Sequence, residues 1–372
     1  MKLVNGMKVA EFKKAYTLPF RVEIPNSNDE IISKKSSSSS RIKFIKRYLY
    51  LMFKHQTSLE IDNILPEHQN ILWINISAPS LGDSLMDLSS RIMLSDRKID
   101  LFTDKKNVKI FKNDSFFSSV FDEDCQMYHK QYDLVIIDSY STRSIRVKAK
   151  IASLVSYVPM FGYYNGPEVN RVLYSFHQMN SLLGYKKSDN EINSIAKPSI
   201  SISKQDQKFI KGLELPQNFI AIVVGGEWSF RSFNRWDLLI HKLIRLDSNK
   251  KIVLIGSDNG IDSANLIVDQ FPNNRVLDYV AKFTFKQTTE IMNQAKYIVC
   301  CDGGLMHAAN SIGAISVALL SKLNSDMQLT SVNKCFSLYD DSNVNNISID
   351  IIVNKCMEAS NLAEKSLLNK LK

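Results

Sequence analysis

From residue 69 onward, short apolar runs alternate with stretches in which apolar residues recur every three or four positions. ILWINI (71–76), IDLFTD (99–104) and YDLVIID (132–138) are uniformly apolar at their centres, and each reads as a strand buried on both faces. DSLMDLSSRIML (83–94) and RSIRVKAKIASLVSY (143–157) carry helical spacing. VPMFGYY (158–164) reads as a further strand. A helix over 166–185 follows, with Pro167 near its start and Gly184 at its end.

A second series begins at NFIAIVVGG (218–226). It runs through a helix (236–247), KIVLIGS (251–257), a helix (261–271), RVLDYV (275–280), a helix (286–295), KYIVCCD (296–302), a helix (305–312) and ISVALLS (315–321). The tail from 350 is helical in pattern. Strands alternating with helices imply parallel sheets. The polar stretch 188–216, broken by Pro198 and Pro216, reads as a linker. The pattern therefore predicts an α/β chain of two doubly wound, Rossmann-like domains, 69–205 and 206–372. Ligands of such domains bind at the carboxyl ends of the strands, and two of them facing each other would leave a cleft there.

Residues 1–68 form an extension of different character. SKKSSSSS reads as a flexible serine linker. In the stretch 41–56, Ile42, Ile45, Leu49 and Met52 recur at helical spacing, and Phe44, Tyr48, Leu51 and Phe53 widen the apolar face. Arg41, Lys43, Lys46, Arg47 and Lys54 add only positive charge. Two readings stand: a basic helix making peripheral contact with an anionic membrane, or a helix packed on the main body with solvated lysines.

The length of 372 residues agrees with two domains, and the 44% hydrophobic and 23% charged content is ordinary for a globular chain. No apolar run approaches the ~18–20 residues of a membrane span. The start lacks the features of a secretory signal, so a cytoplasmic protein is expected. The net charge of +9 favours anionic partners, and no zinc-finger or RNA-binding motif points to nucleic acid. Cys125, Cys300, Cys301, Cys335 and Cys356 are scattered without a C-x-x-C pair, which points to neither a zinc site nor a disulfide framework. Adjacent Cys300 and Cys301 lie in an apolar run and read as buried thiols.

Three strand-to-helix turns carry candidate chemistry. In CCDGGLMHAANSIGA (300–314), Asp302, Gly303 and Gly304 follow a strand and Leu305 opens a helix. Bare backbone at a helix N-terminus suits an anion such as a diphosphate. Asp302 is alternatively a helix cap. His307 is either a phosphate donor or a satisfied interior histidine. In SAPSLGDSL (77–85), Ser80, Gly82 and Asp83 occupy the turn after the first strand. Asp83 is either a general base or a helix cap. In GGEWSFRSFNRW (225–236), Ser229, Arg231 and Arg235 share a loop, and the planar guanidinium suits phosphate oxygens. The bland reading there is a solvated loop with Trp228 and Trp236 packing.

These segments, in this order, resemble glycosyltransferase family 9, the heptosyltransferase family of lipopolysaccharide assembly. SLGD (80–83), YDLVIIDSYSTR (132–143), IAIVVGGEWSFRSFNRW and DGGLMHAANSIG (302–313) carry the likeness, which spans about residues 69 to 320. The resemblance implies the two-domain GT-B fold and inverting transfer from a nucleotide-diphosphate sugar, usually ADP-heptose, to a glycan or glycolipid hydroxyl.

By that analogy Asp83 is the base, with Ser80, Gly82 and Arg143 on the acceptor side. Ser229, Arg231, Asn234, Arg235, Asp302, Gly303, Gly304, Leu305 and His307 line the donor side. Neither metal nor cofactor is implied. Three departures stand out. Gly303 replaces the family's hydroxyl residue, and Asn234 takes the place of its phosphate-contacting lysine. KLNSDMQL follows SVALLS where the family has Gly, Thr and Pro. Two rival readings remain beside a glycan transferase: one that modifies a protein, and a non-catalytic scaffold of the same fold.

Overall fold

The computed structural model describes residues 37–371 except 77, 79, 128, 162–168 and 272–274. The lysine-bearing half of the expected serine linker, Pro167 and the end of the predicted strand 158–164 lie outside the described residues. The chain divides into two compact units, Met1–Ala196 and Lys197–Lys372.

The first unit holds a five-stranded parallel sheet in the order β3-β2-β1-β4-β5. Its strands are β1 (Asn70–Asn75), β2 (Lys98–Thr103), β3 (Ser119–Phe121), β4 (Leu134–Ile137) and β5 (Tyr157–Pro159). Trp73 of the central β1 sits opposite Leu101 and Ile136. Ile71, Leu72, Trp73 and Ile74 are all fully buried, because helices cover both faces. Each such side chain contributes about 1.5–3 kcal/mol by leaving water.

The helix Ser37–Phe53 begins inside the serine tract, which corrects the reading of that part as a linker. Its buried Leu51, with half-buried Tyr48 and Tyr50, joins the core formed by Leu72, Ile74, Val135 and Tyr140. The helix expected over 143–157 spans Thr142–Ile151. It stops there because the sheet claims the next residues: Val135 N donates to Ser156 O, and Tyr157 pairs with Val135.

The second unit holds a six-stranded parallel sheet in the order β11-β10-β9-β6-β7-β8. The strands are β6 (Ile220–Val223), β7 (Ile252–Ile255), β8 (Val276–Asp278), β9 (Tyr297–Cys301), β10 (Ser316–Ser321) and β11 (Cys335–Asp340). The helix Ile349–Leu371 closes the chain and buries Ile352, Val353, Cys356 and Ala359 in one core cluster with Ile220 and Val299.

The stretch 188–216 is not the irregular linker its polarity predicts. It contains the helices Asp189–Ile195 and Lys204–Lys211, started by Ser188 with Glu191 and by Ser203. The second of these belongs to the second unit: Ile210 is buried in its core, and Gln287 Nε2 donates to Asp206. The division therefore falls between Ala196 and Lys197, ahead of the expected boundary at 205. β3 and β11 were not predicted. Both are edge strands without a buried residue, so neither carries the fully apolar run that marks a central strand.

Candidate active site

In each sheet the chain runs outward in one direction, then returns to start again beside its first strand. The reversal falls between β1 and β4 in the first unit and between β6 and β9 in the second. Ligands of open parallel sheets bind outside the carboxyl ends of the strands at such reversals. All three predicted turns emerge there.

In the second unit, Asp302 and Gly303 follow β9, and the helix Gly304–Ser311 begins at once. Met306 N and His307 N donate to Gly303 O at 3.1 and 3.3 Å. The N–H groups of Gly304 and Leu305 precede the first intrahelical bonds and have no acceptor within the helix. The space above Gly303 is open: an added Cβ would meet nothing within 4 Å. The glycines after β6 differ. A Cβ on Gly225, whose φ is +89°, would lie 2.9 Å from the Gly260 backbone, and one on Gly226 would strike Ser232. Those two serve chain packing, whereas Gly303 borders free space.

Arg231 ties the two sides of this reversal together. Its Nη1 lies 3.0 Å from Oδ2 of Asp302, whose carboxylate is nearly buried. His307 is buried, with Nε2 4.0 Å from Asp302 Oδ1, so it supports the turn from within the fold. Ser229 is exposed in the helical turn Ser229–Arg231. Asn234 is exposed, and its backbone N donates to Asn345 Oδ1 at 2.9 Å. Arg235 does not join the cluster. It donates to the carbonyls of Asn345 and Ile347 and rests over the Phe233 ring, so its charge serves the loop 344–347.

Sequence reasoning missed Lys322. It follows β10, is exposed, and has φ +65°, a left-handed conformation uncommon for lysine. Its Nζ lies 4.7 Å from the centre of the Phe230 ring, beside Arg231 in sequence. Phe230 in turn stacks on half-exposed Trp228 at 6.4 Å.

In the first unit, Ser80 caps the helix Leu81–Asp87 and Asp83 closes the capping box. Asp83 Oδ2 accepts from Ser80 N at 2.9 Å and Ser80 Oγ at 2.7 Å. Its Oδ1 lies 3.2 Å from Arg171 Nη1. The same guanidinium makes a two-point bond to Asp87, Nε to Oδ1 at 2.9 Å and Nη2 to Oδ2 at 2.6 Å. Gly82 is buried beneath this turn.

A buried polar chain fixes the helix to the sheet. Ser84 Oγ donates to Asn75 Oδ1, Asn75 Nδ2 donates to Asp138, and Trp73 Nε1 donates to the other Asp138 oxygen. Burial and nearby Asp87 push Asp138 well above the usual carboxylate range. Burial likewise raises Asp87, against the pull of Arg171. Asp87, Asp138 and Arg171 were not singled out from sequence. Asp138 closes the apolar run 132–138, but nothing local marks Arg171.

Arg143 spans the first reversal. Its Nη1 donates to Ile76 O at 2.9 Å, and its other end pairs with Asp104. Beside it lies an open depression of about 650 Å³, lined by Ile76, Ala78, Asp104, Lys105, Lys106, Ser141 and Thr142. Among the described residues, no three His, Cys, Asp or Glu side chains converge on a point where a metal ion would sit. Cys300, Cys301 and Cys356 are buried free thiols, and burial pushes Cys301 up to about 12.

The model of the family described as "Glycosyltransferase family 9 (heptosyltransferase)" matches residues 148–365, more than half of the chain. The chain belongs to glycosyltransferase family 9. Solved structures agree on the fold. A family 9 glycosyltransferase from Veillonella parvula superposes with a TM-score of 0.65 at 15% identity, over 80% of this chain and 99% of that one. The ADP-heptose lipopolysaccharide heptosyltransferase II of E. coli gives 0.60 at 17%, over 80% and 100%. E. coli heptosyltransferase WaaC, solved with ADP, gives 0.60 at 15%, over 77% and 99%. No curated protein sequence matches the chain. This family 9 member is thus a glycosyltransferase of two Rossmann-like domains, the GT-B class. No helix among its described residues is long and apolar enough to cross a membrane.

Proposed function

We propose that the chain is an inverting transferase. It moves a sugar, a heptose by the family pattern, from a nucleoside-diphosphate donor to a hydroxyl of an anionic lipopolysaccharide-type glycan. The observation that carries the reading is the turn at Gly303: open space, two helix-start N–H groups and a fixed Arg231 at the reversal point of a Rossmann-like sheet. The E. coli relative solved with ADP is in keeping with a nucleoside-diphosphate donor.

In this reading Asp83 is the general base. Ser80 and Arg171 set its carboxylate in one orientation, and lone pairs remain to accept a proton. It removes the proton of the acceptor hydroxyl as that oxygen attacks the anomeric carbon. The bond from that carbon to the diphosphate oxygen breaks on the opposite face, and the electron pair leaves with the diphosphate. The N–H groups of Gly304 and Leu305, and the positive end of their helix, take up that charge. The base contributes about 10²–10⁴-fold. Lys105, Lys106 and Arg143 beside the depression suit an acceptor that carries carboxylate or phosphate groups.

Calorimetry with ADP, GDP and UDP tests the donor side. Saturable binding of at least one of them, weakened by Arg231→Ala, is expected. Absence of binding by all three would refute the reading.

A further inference from the structure

The helix Ser37–Phe53 has two apolar faces, and only one is used. Leu51 is 2% exposed and enters the core of the first unit, with Tyr48 and Tyr50 packed against it. Ile42, Ile45, Leu49, Met52 and Phe53 are 65%, 45%, 56%, 48% and 73% exposed. At 3.6 residues per turn these five fall in one arc of about 100°, as wide as the stripe a helix normally buries. Lys46, exposed, borders that arc. Lys54 stands over the Phe53 and Tyr50 rings, at 5.3 and 5.9 Å from their centres. Between Glu30 and Glu60 the sequence contains no acidic residue, while Lys34, Lys35, Arg41, Lys43, Lys46, Arg47 and Lys54 are all basic.

From this charge pattern we infer that the outer stripe docks on an anionic lipid surface. The helix would lie in the plane of the headgroups, the five apolar side chains entering the acyl boundary and Lys46 and Lys54 meeting lipid phosphates. The core contacts of Leu51 make the anchor rigid with the first unit. Docking of this kind does not depend on the transferase reading.

Flotation of the full chain with vesicles tests it. The wild type should float with equimolar phosphatidylglycerol and phosphatidylcholine, and should not float with phosphatidylcholine alone. Lys46→Gln should weaken binding about fivefold. About 1 M salt, which shortens the screening length to ~3 Å, should release most of the protein. The variant Ile45→Gln, Leu49→Gln, Met52→Gln alters only exposed positions and should lose flotation while keeping its melting temperature. Equal flotation of that variant and the wild type would overturn the proposal. So would a wild type that ignores anionic vesicles, whether because a second copy covers the stripe (seen as a dimer in sedimentation) or because the chain's own first 36 residues do.

Discussion

Arg171 Nη1 stands 3.2 Å from Asp83 Oδ1, and the same guanidinium grips Asp87 one helical turn further on. One side chain thus orients the carboxylate we assign as base and compensates a second, buried one. Arg171→Lys keeps the charge and loses the planar fork. Turnover should fall ~10–100-fold, the scale on which misplacing a reacting group acts. Affinity for a nucleoside diphosphate, measured by calorimetry, should not change. An equal loss of both would make Arg171 merely structural.

Arg231 and Asp302 make the matching prediction in the second unit. Asp302 is nearly buried, so Arg231→Ala leaves a carboxylate without its partner. A destabilisation of roughly 1–3 kcal/mol is expected, below the range for fully buried pairs because Arg231 is partly solvated. Asp302→Asn combined with Arg231→Met should restore the melting temperature but not nucleotide binding. Thermal melts and calorimetry on the same samples separate the two effects.

Lys322 separates backbone strain from charge. Its left-handed conformation costs about 1 kcal/mol that glycine does not incur. Lys322→Gly should raise stability while weakening nucleoside-diphosphate binding several-fold, because a cation leaves the rim beside Phe230. A glycine variant with unchanged affinity would remove Lys322 from the donor side.

Lys148 makes stability depend on pH. Its side chain is buried, its Nζ donates to Gln56, and burial pushes its pKa down to about 7 from 10.5. Between those values the unfolded chain holds a proton that the folded chain has released. Stability therefore rises with pH across that window. Denaturant midpoints measured from pH 7 to pH 10 should show the rise, and Lys148→Met should flatten it.

How much of this was legible in the sequence depends on where each signal lies. Central strands such as 71–76 and 297–301 show themselves because burial on both faces demands an unbroken apolar run. The edge strands β3 and β11 lack that demand and so lacked the signal. Asp83 and Gly303 were visible because turn chemistry is local. Their partners were not. Arg171 reaches Asp83 from a distant helix, and Lys322 reaches Phe230 from the end of another strand. Arg235 shows the converse: its position in the sequence suited a phosphate, but the loop 344–347 holds it.

Transfer by Asp83→Asn addresses the central claim most directly. Asparagine retains an oxygen to accept from Ser80 N, so the capping turn and the fold should survive. Sugar transfer would be followed from ADP-heptose to a deacylated lipopolysaccharide core acceptor, with ADP affinity measured alongside. If Asp83 is the base, turnover falls at least ~10²-fold while ADP affinity stays unchanged. An Asp83→Asn variant that turns over like the wild type would contradict that role.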